Sequence, residues 1–544
     1  MDPLSECPGT TAPVPEAAQA VQHAPAVRHA QAAQHAPAVR HAQAAQHAQA
    51  VPPTRVVRSA ESLPTATATA PPSPGRRRVL AGLGMAAATP LVLGAGRTAP
   101  RGNPAVAGGP TGRATVLRNA GLVLTMDPAL GEGPLGAVEG ADLLMRGGAV
   151  AAVGRRLAVP AGTRVIDASD RLLLPGFVDV HTHLWQSSMR GGCAGRDLFG
   201  WLAECNRPTF SRIPAADMYR FVRLAALDSV QSGVTTLVDW VDALPYDTTE
   251  QYVRALAESG VRFTYAMFQA EAQAGLLSRV KKELIDPLPL ASAQVATHAA
   301  RALEGLNRVH WEIAQELGVM LNSHVLERAE QRADDPVGVL TRMGAFGPRL
   351  LMNHAIHLTD DEVAAVAAHD VRAAHCPLSN MRLASGIMRL PDLGRRGVKV
   401  GLGQDGGTND SSDFFALMKS AIGLQRARSL DASVFPQVQD VLRAATLGGA
   451  EAIGMADRVG SLTPGKRADV LVLDPGTLNF APRFDRIGQI VFNGRPENVE
   501  AVFVDGRPLK LDGRLVDVDT ERVVREAEAA AARLRATGSA DRRR

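Results

Sequence analysis

The chain has 544 residues, of which 46% are hydrophobic, so most of it can bury a large core arranged in two or three domains. Its formal net charge of +4 is small for this length, which excludes an extended basic surface for nucleic acid. Only four cysteines occur and none forms a C-x-x-C pair, which excludes a disulfide framework or a thiolate zinc site as an organising feature and leaves His, Asp or Glu to bind any metal.

The first 75 residues are rich in Ala, Pro, Gln and His and contain a twelve-residue repeat. Five histidines recur at intervals of six residues within it: His23, His29, His35, His41 and His47. A spacing of six is neither a helical nor a strand period, so these rings share no face. Because the segment lacks the apolar surface that a core needs, we interpret it as disordered with incidental metal affinity; a metal-binding tail is the alternative.

Residues 76–107 resemble a twin-arginine export signal, the route that carries folded proteins out of the cytoplasm. Arg76 and Arg77 precede an apolar stretch that is too interrupted for a stable membrane span. Ala105-Val106-Ala107 is a candidate cleavage site. The alternative is a basic, Ala-rich linker in a cytoplasmic protein. The sequence thus predicts a periplasmic or extracellular location.

Short β-rich runs with Gly turns occupy residues 113–171 and return at 461–518. Between them, over residues 172–460, apolar strand-like runs alternate with amphipathic helices, which indicates parallel βα units. Seven strands can be marked, close to the eight of a (β/α)8 barrel of the TIM type. We therefore predict an α/β protein with this barrel, a small discontinuous β-sandwich domain, and a C-terminal helix with a basic tail over residues 519–544.

One strand of the predicted barrel is not visible in the sequence. Between Phe268 and Gly318, a charged stretch leads into a long helical pattern, with room for a short strand near residues 289–297. We expect either a short fourth strand there or a degenerate barrel wall. A damaged wall would open the pocket and put substrate choice and activity in doubt.

Histidines and one aspartate follow the apolar runs. The first run ends in V-D-V-H-T-H, and a strand period of two sends His181 and His183 to the same side. Later runs are followed by His324, His354, His375 and Asp405. One such histidine alone is more often a hydrogen-bonded structural residue than a ligand. Barrel active sites lie at the C-terminal ends of the strands, however, and several imidazoles converging there with a carboxylate indicate a divalent metal ion.

Five ordered motifs are similar to those of the amidohydrolase superfamily: H-T-H-L-W-Q, H-V-L-E, N-H-A-I-H-L, H-C-P-L-S-N-M-R-L-A-S-G and G-L-G-Q-D-G. Within it the chain resembles the deaminase and chlorohydrolase branch, which includes guanine and 8-oxoguanine deaminases and triazine hydrolases. The resemblance covers residues 115–517. It implies a metal-dependent hydrolase with a small heterocyclic substrate and, by analogy, a homo-oligomer.

The resemblance also implies roles for single residues. One divalent ion, with zinc favoured and iron as the alternative, would be held by His181, His183, His324 and Asp405. Glu327 would be the proton shuttle, with Glu330 as its rival. His354 would steady the attacking hydroxide or the developing oxyanion, with His357 as its rival. A bound cation lowers the pKa of water, Asp405 can take up the released proton, and Glu327 needs a raised pKa to donate to a ring nitrogen.

Two further residues match substrate-binding positions of the resembled branch. Gln186, in H-x-H-x-x-Q, matches a heterocycle-binding position, and its amide offers both a donor and an acceptor. His375 matches a pocket-lining position, with a hydrogen bond to a loop as the alternative. Two-metal relatives use a carboxylated lysine on the fourth strand, whereas Lys281 and Lys282 lie in a charged segment unlike a buried strand, so one metal is favoured.

These features together predict a hydrolytic deaminase of a purine, pterin or triazine ring that releases ammonia. A chlorohydrolase or a cyclic amide hydrolase would use the same metal site, so the motifs leave these alternatives open. A hypothesis of a different class is an exported metal-binding protein with a degenerate, inactive barrel. The His-rich segment and the missing strand motivate it.

Overall fold

The computed structural model describes residues 114–270, 275–406 and 412–541, with side chains up to residue 536. Two nine-stranded sheets organise this part of the chain. The repeated histidines and the predicted export signal lie outside the described residues. None of the described helices combines the length and the apolar composition needed to cross a bilayer.

The described strands follow in chain order as β1 (Thr115–Leu124), β2 (Ala137–Arg146), β3 (Ala149–Gly154), β4 (Arg164–Asp167), β5 (Leu172–Pro175), β6 (Phe177–His183), β7 (Val234–Val241), β8 (Arg262–Phe268), β9 (Ala291–His298), β10 (Leu321–Val325), β11 (Leu350–His354), β12 (Arg372–His375), β13 (Val400–Leu402), β14 (Asp405–Gly406), β15 (Val470–Leu473), β16 (Val499–Val504), β17 (Arg507–Leu511) and β18 (Arg514–Leu515).

The described α-helices are α1 (Leu198–Trp201), α2 (Arg207–Phe210), α3 (Ala215–Gln231), α4 (Tyr246–Ser259), α5 (Leu276–Val280), α6 (Glu304–Glu316), α7 (Pro336–Arg342), α8 (Asp360–Ala368), α9 (Pro377–Arg382), α10 (Leu390–Arg395), α11 (Phe414–Ser429), α12 (Val438–Ala444), α13 (Leu447–Ala452), α14 (Arg486–Phe492) and α15 (Thr520–Asp541). Single turns of π-helix continue α1 over Leu202–Asn206 and α5 over Lys281–Ile285.

The small sheet is mixed and joins both ends of the described chain. Its strands run in the order β18-β17-β16-β15-β5-β1-β2-β3, and β4 pairs with β1. The central strand β5 pairs in parallel with β1 and antiparallel with β15. Buried side chains from early and late strands share one core, among them Val123, Leu173, Val472 and Phe503. The two flanking β-rich segments thus form one discontinuous unit.

Gly176 separates the small sheet from the barrel. The apolar run that reads as one strand from residue 172 is two strands: Leu172–Pro175 pairs with β15, whereas Phe177–His183 pairs with β7. A Cβ at position 176 would lie 1.9 Å from Thr235 Oγ1, so only glycine fits at this crossing. The barrel therefore begins at Phe177 rather than at residue 172.

The second sheet is the barrel wall. Its strands are parallel neighbours in the order β6 to β13, and β14 pairs with β6, so the sheet returns to its first strand. The break between β13 and β14 falls at Gly403 and Gln404 within what the sequence reads as one strand. Helices follow most strands, for example α3 after β6 and α4 after β7. The predicted (β/α)8 barrel with a small β domain is confirmed.

The fourth strand lies where the sequence left room for it, near residues 289–297, but it is neither short nor degenerate. Strand β9 has eight residues and pairs along its length with β8 and β10. It was hard to recognise because polar side chains interrupt its apolar pattern. Neighbouring elements satisfy these side chains: Ser292 Oγ lies 2.7 Å from Thr264 Oγ1, and Gln294 Oε1 accepts a hydrogen bond from Asn322 at 3.0 Å.

Cys193 and Cys205 form a disulfide in the loop that follows β6. This bond is not predictable from the sequence, because a pair twelve residues apart in a chain with four cysteines carries no spacing signal. The disulfide closes one loop and does not organise the fold. Cys376, which is buried, is a free thiol.

A buried ion-pair network joins the barrel to the small sheet. Arg262, the first residue of β8, donates from Nε and Nη2 to the two carboxylate oxygens of Asp469, each at 3.1 Å. Arg262 also pairs with Asp505, which in turn accepts from Arg467 Nε at 2.6 Å. The side chains of Arg262 and Asp469 are 1% and 3% exposed. This network lies at the N-terminal end of β8.

Candidate metal centre and active site

The C-terminal ends of the barrel strands bring the predicted metal ligands together. His181 and His183 lie on β6, His324 on β10 and Asp405 at the start of β14. One donor atom from each of the four lies within 4.8 Å of the other three. His181, His183 and Asp405 are buried, and His324 is partly buried. Parallel strands therefore place residues that are more than two hundred positions apart at one point.

Short distances link the donor atoms of this cluster. Asp405 Oδ1 lies 3.3 Å from His181 Nε2 and 3.4 Å from His183 Nε2. His183 Nε2 lies 3.3 Å from His324 Nε2. Tetrahedral zinc with bonds of about 2.0–2.1 Å places neighbouring donor atoms about 3.3–3.4 Å apart. The donor set and its spacing fit a divalent metal ion.

The hydrogen-bonding partner of His183 fixes which ring nitrogen faces the cluster. His183 Nδ1 lies 2.7 Å from the backbone oxygen of Trp240. Because a carbonyl only accepts, Nδ1 carries the hydrogen and Nε2 of the neutral ring keeps its lone pair. Burial lowers the pKa of His183, and it lowers the pKa of His181 to about 3. Neutral imidazoles are the form that binds a metal.

Two carboxylates in the site have pKa values displaced in opposite directions. Burial raises the pKa of Glu327 despite the opposing effect of His354. Burial would raise the pKa of Asp405 as well, but the neighbouring His354, His181 and His183 hold it below its usual value. Glu327 can therefore keep a proton while Asp405 stays ionised. This division is the pattern expected of an acid beside a charged ligand.

His354, at the end of β11, lies between these carboxylates. Its Nε2 is 3.6 Å from Glu327 Oε2 and 3.9 Å from Asp405 Oδ2. Glu327, His354 and Asp405 form a second group of donor atoms that shares Asp405 with the metal-ligand cluster. A reacting atom beside the metal site would thus lie within reach of both an acid and an imidazole.

Segment 377–385, which includes α9, holds each member of this second group with one polar side chain. Ser379 Oγ donates to Asp405 Oδ2 at 2.5 Å, and Ser385 Oγ donates to Glu327 Oε1 at 3.1 Å. Asn380 Nδ2 lies 3.0 Å from His354 Nδ1. The motif H-C-P-L-S-N-M-R-L-A-S-G therefore acts as a single positioning element.

The backbone is left-handed at several of these strand ends. His354 has φ 67°, Asp405 has φ 64° and Leu326, next to Glu327, has φ 48°. Residues other than glycine adopt this region at an energetic cost, and such residues concentrate at functional sites. No residue pattern indicates these turns, which aim the side chains into the barrel mouth.

A cavity of about 120 Å³ opens above the donor atoms. Fourteen described residues line it: His183, Gln186, Leu198, Trp201, Leu202, Asn206, Trp240, Asp242, His298, His324, Glu327, Gln331, Leu383 and Asp405. The predicted substrate-binding residue Gln186 is among them. His375 is not among these described lining residues; it is buried on β12, and burial lowers its pKa to about 3.

The rival residues lie elsewhere. Glu330 is exposed and pairs with Arg328 at 2.9 Å, whereas Glu327 is 4% exposed and faces the cavity. His357 Nε2 donates to the backbone oxygen of Ser385 at 2.8 Å, while His354 lies beside the donor cluster. The geometry favours Glu327 and His354 over their rivals.

Sequence reasoning missed part of the cavity wall. His298 ends β9, and its ring stacks on that of His324 at 5.5 Å. Its Nε2 lies 3.7 Å from Asp242 Oδ1, which follows β7. The histidine at the end of a strand is the same signal that identified His324, but it went unused because β9 was not recognised. The apolar residues Leu198, Trp201 and Leu202 carry no such signal.

Similarity to known proteins agrees with this site. The amidohydrolase family model matches residues 172–509. A 5-methylthioadenosine/S-adenosylhomocysteine deaminase of Pelotomaculum thermopropionicum is 31% identical over 445 residues, which span 77% of this chain and 99% of that protein. A 5'-deoxyadenosine deaminase of Methanosarcina mazei is 31% identical over 438 residues, which span 77% and 98%.

Solved structures show the same architecture. An adenosine deaminase of Xanthomonas campestris with bound zinc superposes with a TM-score of 0.70 at 26% identity, over 78% of this chain and 98% of that one. The atrazine chlorohydrolase TrzN of Arthrobacter aurescens with zinc gives 0.71 at 21% identity, over 77% and 100%, a likeness of fold alone. The present chain therefore belongs to the amidohydrolase family and is a hydrolase that acts on carbon–nitrogen bonds, as its ordered motifs, its barrel with a His/Asp metal-binding cluster and these relatives show.

Proposed function

We propose that the protein is a hydrolytic deaminase of an amino-substituted nitrogen heterocycle. Water adds to the ring carbon that bears the amino group, the carbon–nitrogen bond breaks, and the products are the oxo ring and ammonia. The observation that carries this proposal is that the four-ligand cluster and the pair Glu327 and His354 share Asp405, beside a cavity that Glu327 and Asp405 line. Acid–base groups beside a cation site are what this reaction needs.

Proton transfer is the proposed task of Glu327. Its raised pKa lets it hold a proton in the cavity, where a ring nitrogen of the substrate would accept it. Asp405, which stays ionised, accepts a proton from the attacking water, and His354 steadies the oxygen as charge develops on it. The hydroxyl proton then returns to Glu327, and the proton on Asp405 passes to the amine, which leaves as ammonia, so both carboxyl groups are restored.

We assign one divalent ion, zinc, to His181, His183, His324 and Asp405. Zinc bound there would make water acidic enough to attack near neutral pH. The carboxylated lysine of two-metal relatives would need a lysine on the fourth strand, and β9 carries none. Lys281 lies outside any strand and pairs with Asp286 at 2.7 Å.

An adenine ring is the first candidate substrate within the proposed class. The support comes from relatives named as deaminases of adenosine derivatives, at 31% identity over 77% of the chain. Gln186 in the cavity wall can offer both a donor and an acceptor to a ring edge. Pterin and triazine rings stay within the proposed class.

Ammonia release from a panel of aminopurines, adenosine derivatives, aminopterins and aminotriazines tests the proposal. The full chain is loaded with one equivalent of zinc, and chloride release from chlorotriazines is measured alongside. We expect ammonia from at least one purine and loss of turnover after chelation. A chain that holds one ion but releases only chloride would be a chlorohydrolase. A chain that keeps its full metal content after His181→Ala and His183→Ala would not hold that metal at the four-ligand cluster, and inactivity would then favour the metal-binding protein.

We further propose that the protein is exported. Arg76 and Arg77 motivate this, and the Cys193–Cys205 disulfide supports it because disulfides persist in oxidising compartments. Replacing both arginines by lysine tests the route by cell fractionation. We expect the variant to stay in the cytoplasm while the parent chain reaches the periplasm or the medium. Equal distributions of the two would overturn the proposal.

A further inference from the structure

The disulfide loop forms one wall of the cavity. Residues Leu198, Trp201 and Leu202 lie between the two cysteines, Asn206 follows the second, and all four line the cavity. The loop belongs to the long connection between β6 and α3 rather than to the barrel itself. The substrate would therefore contact a surface whose position depends on a loop.

A small apolar cluster, separate from the main core, holds this wall. Leu198 and Trp201 pack with Leu383, and Cys193 and Cys205 pack against the same cluster. Leu198, Trp201 and Leu383 are 6%, 4% and 1% exposed. A cluster of so few side chains can order a loop only weakly by itself, and the cross-link inside it supplies a constraint that packing does not.

Polar contacts tie the same loop to the catalytic groups. Arg382 Nη2, on α9, donates to the backbone oxygen of Gly192 at 2.7 Å. Arg328, the neighbour of Glu327, lies 3.6 Å from Asp197 and donates from Nη1 to the backbone oxygen of Ala384 at 3.0 Å. On the loop side these two contacts use the backbone oxygen of Gly192 and the exposed carboxylate of Asp197, so they guide the loop without fixing its fold.

We propose that the Cys193–Cys205 disulfide is a positioning element for substrate binding: it holds the wall formed by Leu198, Trp201, Leu202 and Asn206 over the metal-ligand cluster. Reduction adds two electrons and two protons, breaks the sulfur–sulfur bond and leaves two thiols. The wall then samples open arrangements, and the apparent affinity for the substrate falls in proportion to the fraction of molecules whose wall is closed. Both cysteines are partly buried, so a small reductant reaches them. The inference rests on the proposed function, because it concerns the same cavity.

The test compares the zinc-loaded full chain before and after treatment with a phosphine, which is oxidised to its phosphine oxide as the disulfide is reduced. We expect KM for the deaminated substrate to rise by about tenfold while kcat changes by less than about twofold, since the acid–base groups lie on barrel strands and segment 377–385. Metal content is measured in both states. A lower melting temperature with unchanged KM would reveal a merely structural cross-link and overturn the proposal.

Two variants sharpen the comparison. The double variant Cys193→Ser/Cys205→Ser should reproduce the raised KM and respond no further to phosphine, and a response would show that another group is reduced. The matched control is Arg196→Gln/Glu204→Gln, which removes an exposed ion pair of 2.8 Å across the same loop. Neither residue lines the cavity, so KM should stay at the parental value.

Hydrogen exchange at residues 189–206 gives a readout that does not need turnover. We expect faster exchange over this segment after reduction and no change in β6 or β10. Should no panel compound be deaminated, the proposed function fails while this measurement still decides the positioning of the wall. Unchanged exchange after complete reduction would overturn the inference by itself.

Discussion

Ser385 Oγ donates a hydrogen bond to Glu327 Oε1 across 3.1 Å, and both side chains are buried. This bond stabilises the ionised form of Glu327 and opposes the effect of burial on its pKa. The segment that supplies Ser385 is itself held by His357, which donates to the Ser385 backbone. The carboxyl group to which we assign proton transfer is thus adjusted by a side chain outside the cavity lining.

Ser385→Ala should therefore raise the pKa of Glu327 further. If the protonated carboxyl is the active form, the alkaline limb of the kcat profile moves to higher pH, and kcat at its maximum falls by about tenfold as positioning is lost. The pH dependence of kcat for both proteins checks this. If the alkaline limb does not move, the ionisation seen in the kcat profile is not that of Glu327.

Glu327→Gln should nearly abolish turnover. The amide keeps the shape of the side chain but cannot transfer the proton, so kcat should fall by about 10²–10⁴-fold. Zinc content should stay at the parental level, because Glu327 is outside the four-ligand cluster. Glu330→Gln is the matched control at an exposed position, and its turnover should be unchanged. Comparable loss in both variants would count against the assignment.

Acid should weaken the fold and the metal site together. Burial lowers the pKa of His375 and of His181 to about 3, far below the ordinary value of about 6.5. As the pH falls below about 6.5, these two histidines bind protons in the unfolded chain but stay neutral in the folded chain. The free energy of unfolding therefore decreases progressively until about pH 3. Protonation also competes with metal binding at the ligand histidines.

His375→Gln isolates one part of this dependence. Between pH 6 and pH 4, the free energy of unfolding of the variant should fall less steeply with decreasing pH than that of the parent. The two slopes should differ by up to about 1.4 kcal/mol per pH unit, because the variant lacks one group whose pKa is lowered by folding. Denaturant titrations at a series of pH values measure the slope. Equal slopes for the parent and the variant would mean that His375 takes up its proton in the folded state.

Arg262→Met should destabilise the protein without touching the site. The change leaves Asp469, which is 3% exposed, without its main partner, and an unpaired buried charge costs about 3–5 kcal/mol. Arg483→Met, at an exposed pair of 3.8 Å with Asp170, serves as the control and should change little. Thermal unfolding of the zinc-loaded proteins gives the comparison, with kcat expected to be unaffected in both.

The strand ends were predictable because β6 is buried on both faces and reads as a continuous apolar run before His181 and His183. Strand β9 was hard to recognise for the opposite reason. Its Ser292 and Gln294 find partners on β8 and β10, and a sequence does not show which polar residues will be paired across a wall.

The positioning contacts were beyond sequence reasoning in a different way. The motif containing Ser379, Asn380 and Ser385 was recognised, but its hydrogen bonds reach residues up to 58 positions away. Which serine meets which carboxylate depends on the left-handed turns at His354 and Asp405. Local spacing could predict the metal-ligand residues, but it could not predict which side chains hydrogen-bond to the residues of the site.

The small sheet can be completed only late in synthesis, because its neighbouring strands come from both ends of the described chain. Its first five strands leave the ribosome early, but β5 finds its antiparallel neighbour β15 only after roughly 300 more residues, which at about 5–20 residues per second takes roughly 15–60 s. Until then the apolar edge of Leu172–Pro175 stays open to foreign strands. Nascent chains stalled before residue 470 should therefore recruit chaperones, and this vulnerability ends when β15 pairs with β5.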